Sequence, residues 1–159
     1  MVKANAVGKE CSEVDRAYLA GLIDGDGAIM ACIEPHHEKK FRFRVRIELK
    51  VTQKDGRDLM FLNNLLGCGN VRLNRTVCDW ITRDQKEISR VLELIRPYSR
   101  MKQRQIDYAS RILQIPIKGR KDRVRVARMA DALSKFNVRS KTRRKNYATM
   151  IEENPSPND

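Results

Sequence analysis

The chain has 159 residues, the size of one domain with a buried core. Lys and Arg outnumber Asp and Glu by 33 to 20, so the formal net charge of +13 favours a polyanionic partner, though charge alone does not choose DNA over RNA. Cys11, Cys32, Cys68 and Cys78 show no CxxC spacing, no apolar run approaches membrane length, and Met1–Glu10 has no signal-peptide core. The expectation is therefore an intracellular protein, cytosolic or in an organellar matrix, with reduced and mostly buried thiols and no membrane partner. Cys32, His36 and His37 lack a fourth ligand at zinc-site spacing.

In chain order, Ser12 is placed to cap a helix with Glu13 and Asp15 in its first turn. Val14, Ala17, Tyr18, Gly21 and Leu22 recur at helical spacing, and Leu19, Ala20 and Ile23 make the other side apolar too. Such a helix is expected to be buried on every side, and Ala20, Gly21 and Gly25 would let a second helix come close. It ends in Asp24-Gly-Asp26-Gly27, which puts two carboxylates at the negative end of the helix dipole, where a bound cation would compensate them. A calcium loop starting at Asp24 fails, because its later ligand and glycine positions hold Ala28 and Ile29.

Residues 28–34 alternate as a strand, and Pro35 to Lys40 reads as a hairpin loop. Phe41 to Val51 alternates strictly, with Phe41, Phe43, Val45, Ile47, Leu49 and Val51 on one face and Arg42, Arg44, Arg46, Glu48 and Lys50 on the other. Asp55 caps a helix through Leu66 that Gly67 stops. A shorter hairpin, Asn70–Asn74 and Val77–Thr82, should turn Val71 and Leu73 inward and Asn70, Arg72 and Asn74 outward. Helices follow at about 85–96, 101–113 and 122–136, with a break at Pro116–Gly119. The cationic run Ser140 to Lys145 opens a final short helix, and Asn154–Asp159 is expected to be disordered.

Leu19-Ala-Gly-Leu-Ile-Asp-Gly-Asp-Gly27 matches the signature of the LAGLIDADG homing endonuclease family at eight of nine positions, with Gly25 in place of Ala. Because the signature occurs once, the chain resembles the single-motif, homodimeric branch. The resemblance implies an α+β fold: αββαββα, a curved antiparallel four-stranded DNA-binding sheet, and extra C-terminal helices. It implies one domain over residues 1–153, with its core at about 12–115 and the added helices at about 120–152.

The implied function is sequence-specific, metal-dependent cleavage of double-stranded DNA, leaving a staggered break in a long pseudo-palindromic target. The implied cofactor is Mg²⁺, held by Asp26 and the Gly25 carbonyl, with Mn²⁺ or Ca²⁺ able to substitute for binding. Val51-Thr-Gln-Lys54 resembles a stretch in that branch whose Gln positions water, which casts Gln53 as catalytic with Arg57 and Lys102 stabilising charge. The implied DNA contacts are Glu34, His36, Glu38, Lys39, Arg42, Arg44, Arg46, Glu48 and Lys50 on the first hairpin. Asn70, Arg72, Asn74, Asp79, Ile81 and Arg83 do the same on the second, while Trp80 belongs to the core. Ser140 and Lys141 would touch the backbone. Ala20, Gly21 and Asp24 fall at the implied dimer interface, with Asp24 mainly structural at the helix end. Two rival readings keep the fold: an RNA maturase acting on intron RNA, and a non-catalytic DNA-binding regulator.

Overall fold

A computed structural model describes residues 11–39, 42–137 and 146–155. Its elements run α1 (Glu13–Asp26), β1 (Gly27–Pro35), β2 (Phe43–Gln53), α2 (Gly56–Leu66), β3 (Asn70–Asn74), β4 (Val77–Thr82), α3 (Gln85–Ile95), α4 (Gln103–Gln114), α5 (Arg120–Asn137) and α6 (Tyr147–Glu153). The strands form one antiparallel sheet in the order β1-β2-β4-β3. Phe41, Ser140 and Lys141, and with them the cationic run, lie outside the described residues.

Local chemistry sets the helix ends. Ser12 and Asp15 form a reciprocal capping box at α1, the Asp15 amide donating to Ser12 Oγ and the Ser12 amide to Asp15 Oδ2, each at 3.1 Å. Asp55 caps α2 and Asp84 caps α3. α2 stops at Gly67, whose φ of 63° is the left-handed conformation glycine adopts without strain. Gly69 has φ 86°, and a Cβ there would lie 2.4 Å from Trp80 Nε1. The missing side chain lets the indole lie against the loop and donate to the Cys68 carbonyl at 3.1 Å.

The core lies between the sheet and its helices. Ile29, Ile47, Leu49, Val51 and Trp80 from the strands meet Leu19, Ile23, Leu59, Leu62, Ile88, Leu92 and Ile106 from the helices, all fully buried. Each such aliphatic side chain stabilises the fold by about 1.5–3 kcal/mol. Where β2 runs past the end of β4, the Gln85 side chain takes over. Its Oε1 accepts from the Ile47 amide at 2.8 Å and its Nε2 donates to the Ile47 carbonyl at 2.9 Å, so a side-chain amide replaces a strand neighbour.

Two expectations are corrected here, and a third is met on one side. Within this chain α1 is buried on one side: Leu19, Ala20, Ile23 and Asp24 face the core, while Val14 is 77% and Tyr18 56% exposed. Leu73 is 75% exposed rather than in the core. The start of α2 covers Val71 and Cys78, and Leu73 lies beyond that cover on the edge strand. None of the four cysteines is in a disulfide, and only Cys11 is buried, the others being half-buried. Burial pushes the Cys68 thiol up to about 11.

Candidate active site and nucleic-acid interface

α1 passes into β1 without a loop. A Cβ on Gly27 would lie 2.6 Å from the Ile23 carbonyl oxygen, so only glycine allows the chain to leave the helix and pair at once with Val51 of β2. That pairing brings the end of α1 beside the end of β2. Asp26 stays exposed there, and Gln53 Nε2 donates to Asp26 Oδ2 at 2.6 Å.

Asp24, two residues earlier, points inward and is 6% exposed. It accepts from Ser99 Oγ at 2.5 Å and from the amides of Arg100 and Met101 at 2.6 and 3.0 Å. Burial pushes its carboxyl up, but the bonds from Ser99, Arg100, Met101 and Lys102 outweigh that and hold it below the ordinary value. Lys102 Nζ donates to the Asp24 backbone carbonyl at 2.8 Å, meeting an open carbonyl of the last helical turn with a positive charge.

Gln53 and Lys102 thus converge on the end of α1, whereas Arg57 makes no such approach. Its side chain is 90% exposed and grips its own helix cap, Arg57 Nε and Nη2 donating to Asp55 Oδ2 at 2.9 and 2.5 Å. That ion pair lowers the Asp55 carboxyl to about 2. Gly25 is exposed. Gly21 is also exposed, and neither Gly21 nor Gly25 has an atom within 4 Å of where a Cβ would sit. Ala20, expected at a subunit interface, is instead 0% exposed in its own core, because it shares the inner side of α1 with Leu19 and Ile23.

On the open face of the sheet, opposite the helices, three cations, Arg46, Lys50 and Arg83, are paired with acids. Arg46 Nη2 donates to Glu34 Oε1 at 2.7 Å, and Arg83 Nε donates to Glu48 Oε2 at 2.5 Å, leaving Glu48 9% exposed. Asp79 and Ile81, expected to reach DNA, are 0% and 6% exposed. Asp79 is covered by the groups it holds: Thr52 Oγ1 donates at 2.6 Å, Asn74 Nδ2 at 2.8 Å and Lys50 Nζ at 3.2 Å. Burial raises its carboxyl and these three bonds more than reverse that. Ile81 sits in register between Lys50 and Asn70, whose side chains share its face. Arg42, Arg44, Asn70, Arg72, Asn74 and Arg83 are exposed, as are Glu38 and Lys39 near the hairpin tip, while His36 is half-buried.

Sequence reasoning missed Ser99, Thr52 and Gln85. Thr52 shares the parity of Lys50 and was legible in principle; nothing in the local sequence marks the other two.

The donor set at the end of α1 fits a hard cation. Asp26 is an exposed carboxylate with one oxygen held by an amide, at the negative end of a helix. No cluster of three or more His, Cys, Asp or Glu side chains exists among the described residues. The exposed Asp26 carboxylate suits Mg²⁺, which keeps several waters and takes further oxygens from a phosphate.

A family model described as LAGLIDADG endonuclease matches residues 19–115. The DNA endonuclease I-CreI of Chlamydomonas reinhardtii is 36% identical over 100 residues, 61% of this chain and 61% of that relative. The DNA endonuclease I-CvuI of Chlorella vulgaris is 33% identical over 102 residues, 62% of each. The matched region thus spans less than two thirds of either curated relative. A crystal structure of I-CvuI in complex with the I-CreI target superposes with a TM-score of 0.78 at 25% identity, over 89% of this chain and 94% of that one. The homing endonuclease I-TnaI, at TM-score 0.73 and 18% identity, shares the fold.

Proposed function

The chain belongs to the LAGLIDADG endonuclease family, and from that premise we propose that it is a homing endonuclease, a homodimer that cuts both strands of one long, pseudo-palindromic DNA target with Mg²⁺. The observation that carries this reading is the exposed Asp26 carboxylate, held by Gln53 at 2.6 Å where the motif helix enters the sheet. The I-CvuI complexes with DNA, one with Mg and one with Ca, support a divalent metal.

Dimerisation is supported by the exposed side of α1. Val14, Tyr18, Gly21 and Gly25 form one stripe, extended by Phe61, whose ring centroid is 5.6 Å from that of Tyr18, and by the exposed Met60. An isologous pairing of two such stripes brings the two Asp26 residues together, one for each strand. The dimer carries +26, twice +13, toward a polyanion.

Asp26 and the Gly25 carbonyl would hold the metal, which supplies Lewis-acid stabilisation of charge building on the phosphodiester. Gln53 uses its amide nitrogen on Asp26, leaving its carbonyl oxygen to accept from and orient an attacking water. The Lys102 ammonium adds fixed positive charge beside the same helix end. Arg57 reaches a phosphate by exchanging one oxyanion partner, Asp55, for another. Arg44, Arg72 and Asn70 are exposed and would present donors to base edges in the major groove.

The test selects a duplex from a randomised library by repeated binding, then incubates it with protein and Mg²⁺ or EDTA. Mg²⁺-dependent cuts at one staggered position on both strands support the reading. Tight binding with no cleavage in Mg²⁺ or Mn²⁺ overturns it in favour of a regulator.

A further inference from the structure

The link between α3 and α4, residues 96–102, supplies the groups that hold Asp24. Ser99 Oγ and the Arg100 and Met101 amides meet its carboxylate, and Lys102 Nζ meets its carbonyl. The link has no strand to shape it, and Pro97 contributes no amide donor. A turn begins it, the Tyr98 and Ser99 amides both donating to the Ile95 carbonyl at 3.0 and 2.8 Å. Gln103, the first residue of α4, closes it. Its Nε2 donates to the Arg96 carbonyl at 2.6 Å and to the Ser99 carbonyl at 2.7 Å, so both amide hydrogens are used.

The bond to Ser99 reaches further than its own length. The Ser99 carbonyl and the Arg100 N–H belong to one planar trans peptide and point in opposite directions. Drawing the carbonyl toward Gln103 therefore aims the N–H the other way, at Asp24 Oδ2, 2.6 Å off. Rotation of that one peptide breaks both bonds together. Lys102 follows two residues later and opens α4 without a side-chain cap, its ammonium lying on the Asp24 carbonyl. The peptide that Gln103 holds thus sets the direction from which the Lys102 side chain departs.

We propose that Gln103 is a positioning residue for cleavage: through the Ser99–Arg100 peptide it holds the Lys102 ammonium at the end of α1, beside Asp26. The inference rests on the nuclease reading of that helix end. Gln103 acts through Lys102, because its amide hydrogens are committed to the two carbonyls. The arrangement requires a donor facing two acceptors. Gln103→Glu keeps the size but sets a carboxylate against both carbonyl oxygens, whereas Gln103→Lys has similar reach and keeps donors for both.

Two readouts test it: amide hydrogen exchange in the free protein, followed by NMR, and single-turnover cleavage of the selected duplex. Gln103→Glu should speed exchange of the Arg100 amide at least roughly tenfold and leave the amides of β2 unchanged. It should slow cleavage roughly tenfold to a hundredfold, with duplex affinity within about twofold of wild type. Gln103→Lys should restore both readouts to within about threefold. In a Lys102→Ala background, Gln103→Glu should slow cleavage no further, because the ammonium it positions is gone. Gln103→Met removes the donors without adding charge; it covers the case in which the carboxylate disturbs folding, and should move both readouts the same way. Unchanged Arg100 exchange, cleavage at the wild-type rate, equal losses for Glu and Lys, or losses that add to that of Lys102→Ala would each overturn the proposal. Wild-type protein that cuts no selected duplex would overturn the nuclease reading, and the role in cleavage with it, while exchange shows separately whether Gln103 aims the peptide.

Discussion

Asp24 and Asp26 stand two residues apart in one motif and have opposite surroundings. Asp24 is buried and accepts from Ser99 and two backbone amides of the segment before α4; Asp26 is exposed and meets one amide, that of Gln53. The helix makes the difference. Two residues along an α-helix turn about 200°, so one carboxylate faces the core and the other faces out. The first ties the end of α1 to the rest of the protein, and the second is left with oxygen lone pairs for an outside ligand. A shared charge does not mean a shared task.

The strongest way to break this contrast is Asp26→Asn. It should lower cleavage at least about a thousandfold, while the melting temperature holds and target affinity holds or rises. A variant that cuts near the wild-type rate would falsify the assignment, and one that loses folding as well would make Asp26 structural like its neighbour.

Asp24→Asn should do the reverse, destabilising the fold by roughly 2–3 kcal/mol in urea titration, since charged hydrogen bonds are lost in a buried place. The pH profile sharpens the point. Folding lowers the Asp24 and Asp79 carboxyls below the ordinary value of an aspartate. Their contribution is complete above the unfolded value and is lost as pH falls through the folded ones, so stability drops below about pH 4. The double Asn variant should show a flatter acid limb; an identical limb would contradict the bonding described.

Asp79 offers a finer contrast, being buried like Asp24 but on the open face of the sheet. Asp79→Asn releases Lys50 and Asn74, so affinity for random duplex should rise while discrimination falls by about 1 kcal/mol at a few base pairs. Equal change at every position, measured by binding to singly substituted targets, would make Asp79 a charge-balance residue only. The smallest effect on cleavage is expected for Asp55→Ala. Loss of the α2 cap should modestly lower the melting temperature, while cleavage should rise only slightly as the surface Arg57 is freed.

Much of the fold was legible in the sequence because its signals are local. Asn70–Asn74 and Val77–Thr82 fall where their alternation puts them, and Ser12, Asp55 and Gly67 mark helix ends by chemistry within a few residues. The site was legible in part: Asp26 and Gln53 meet, and Lys102 reaches the same helix end. What failed depends on cover. Period two assigns Asp79 and Ile81 to the open face, but not the side chains of Lys50, Thr52 and Asn74 above them. The pattern of α1 gives apolar residues all round without saying that its own subunit covers only one side. Ser99 reaches Asp24 across 75 positions of chain, a distance no local pattern spans.

The loopless junction at Gly27 has a mechanical meaning. A helix that runs straight into a strand, with no room for a methyl group at the joint, leaves no hinge between the proposed cutting end at Asp26 and the proposed reading face. On that proposal the sheet is a gauge with the blade fixed to it: wherever the strands settle along a duplex, the cut should fall at a constant offset. Rewriting side chains on the strands should change the address and not the offset. One residue inserted between Asp26 and Gly27 should shift the offset or abolish cutting altogether.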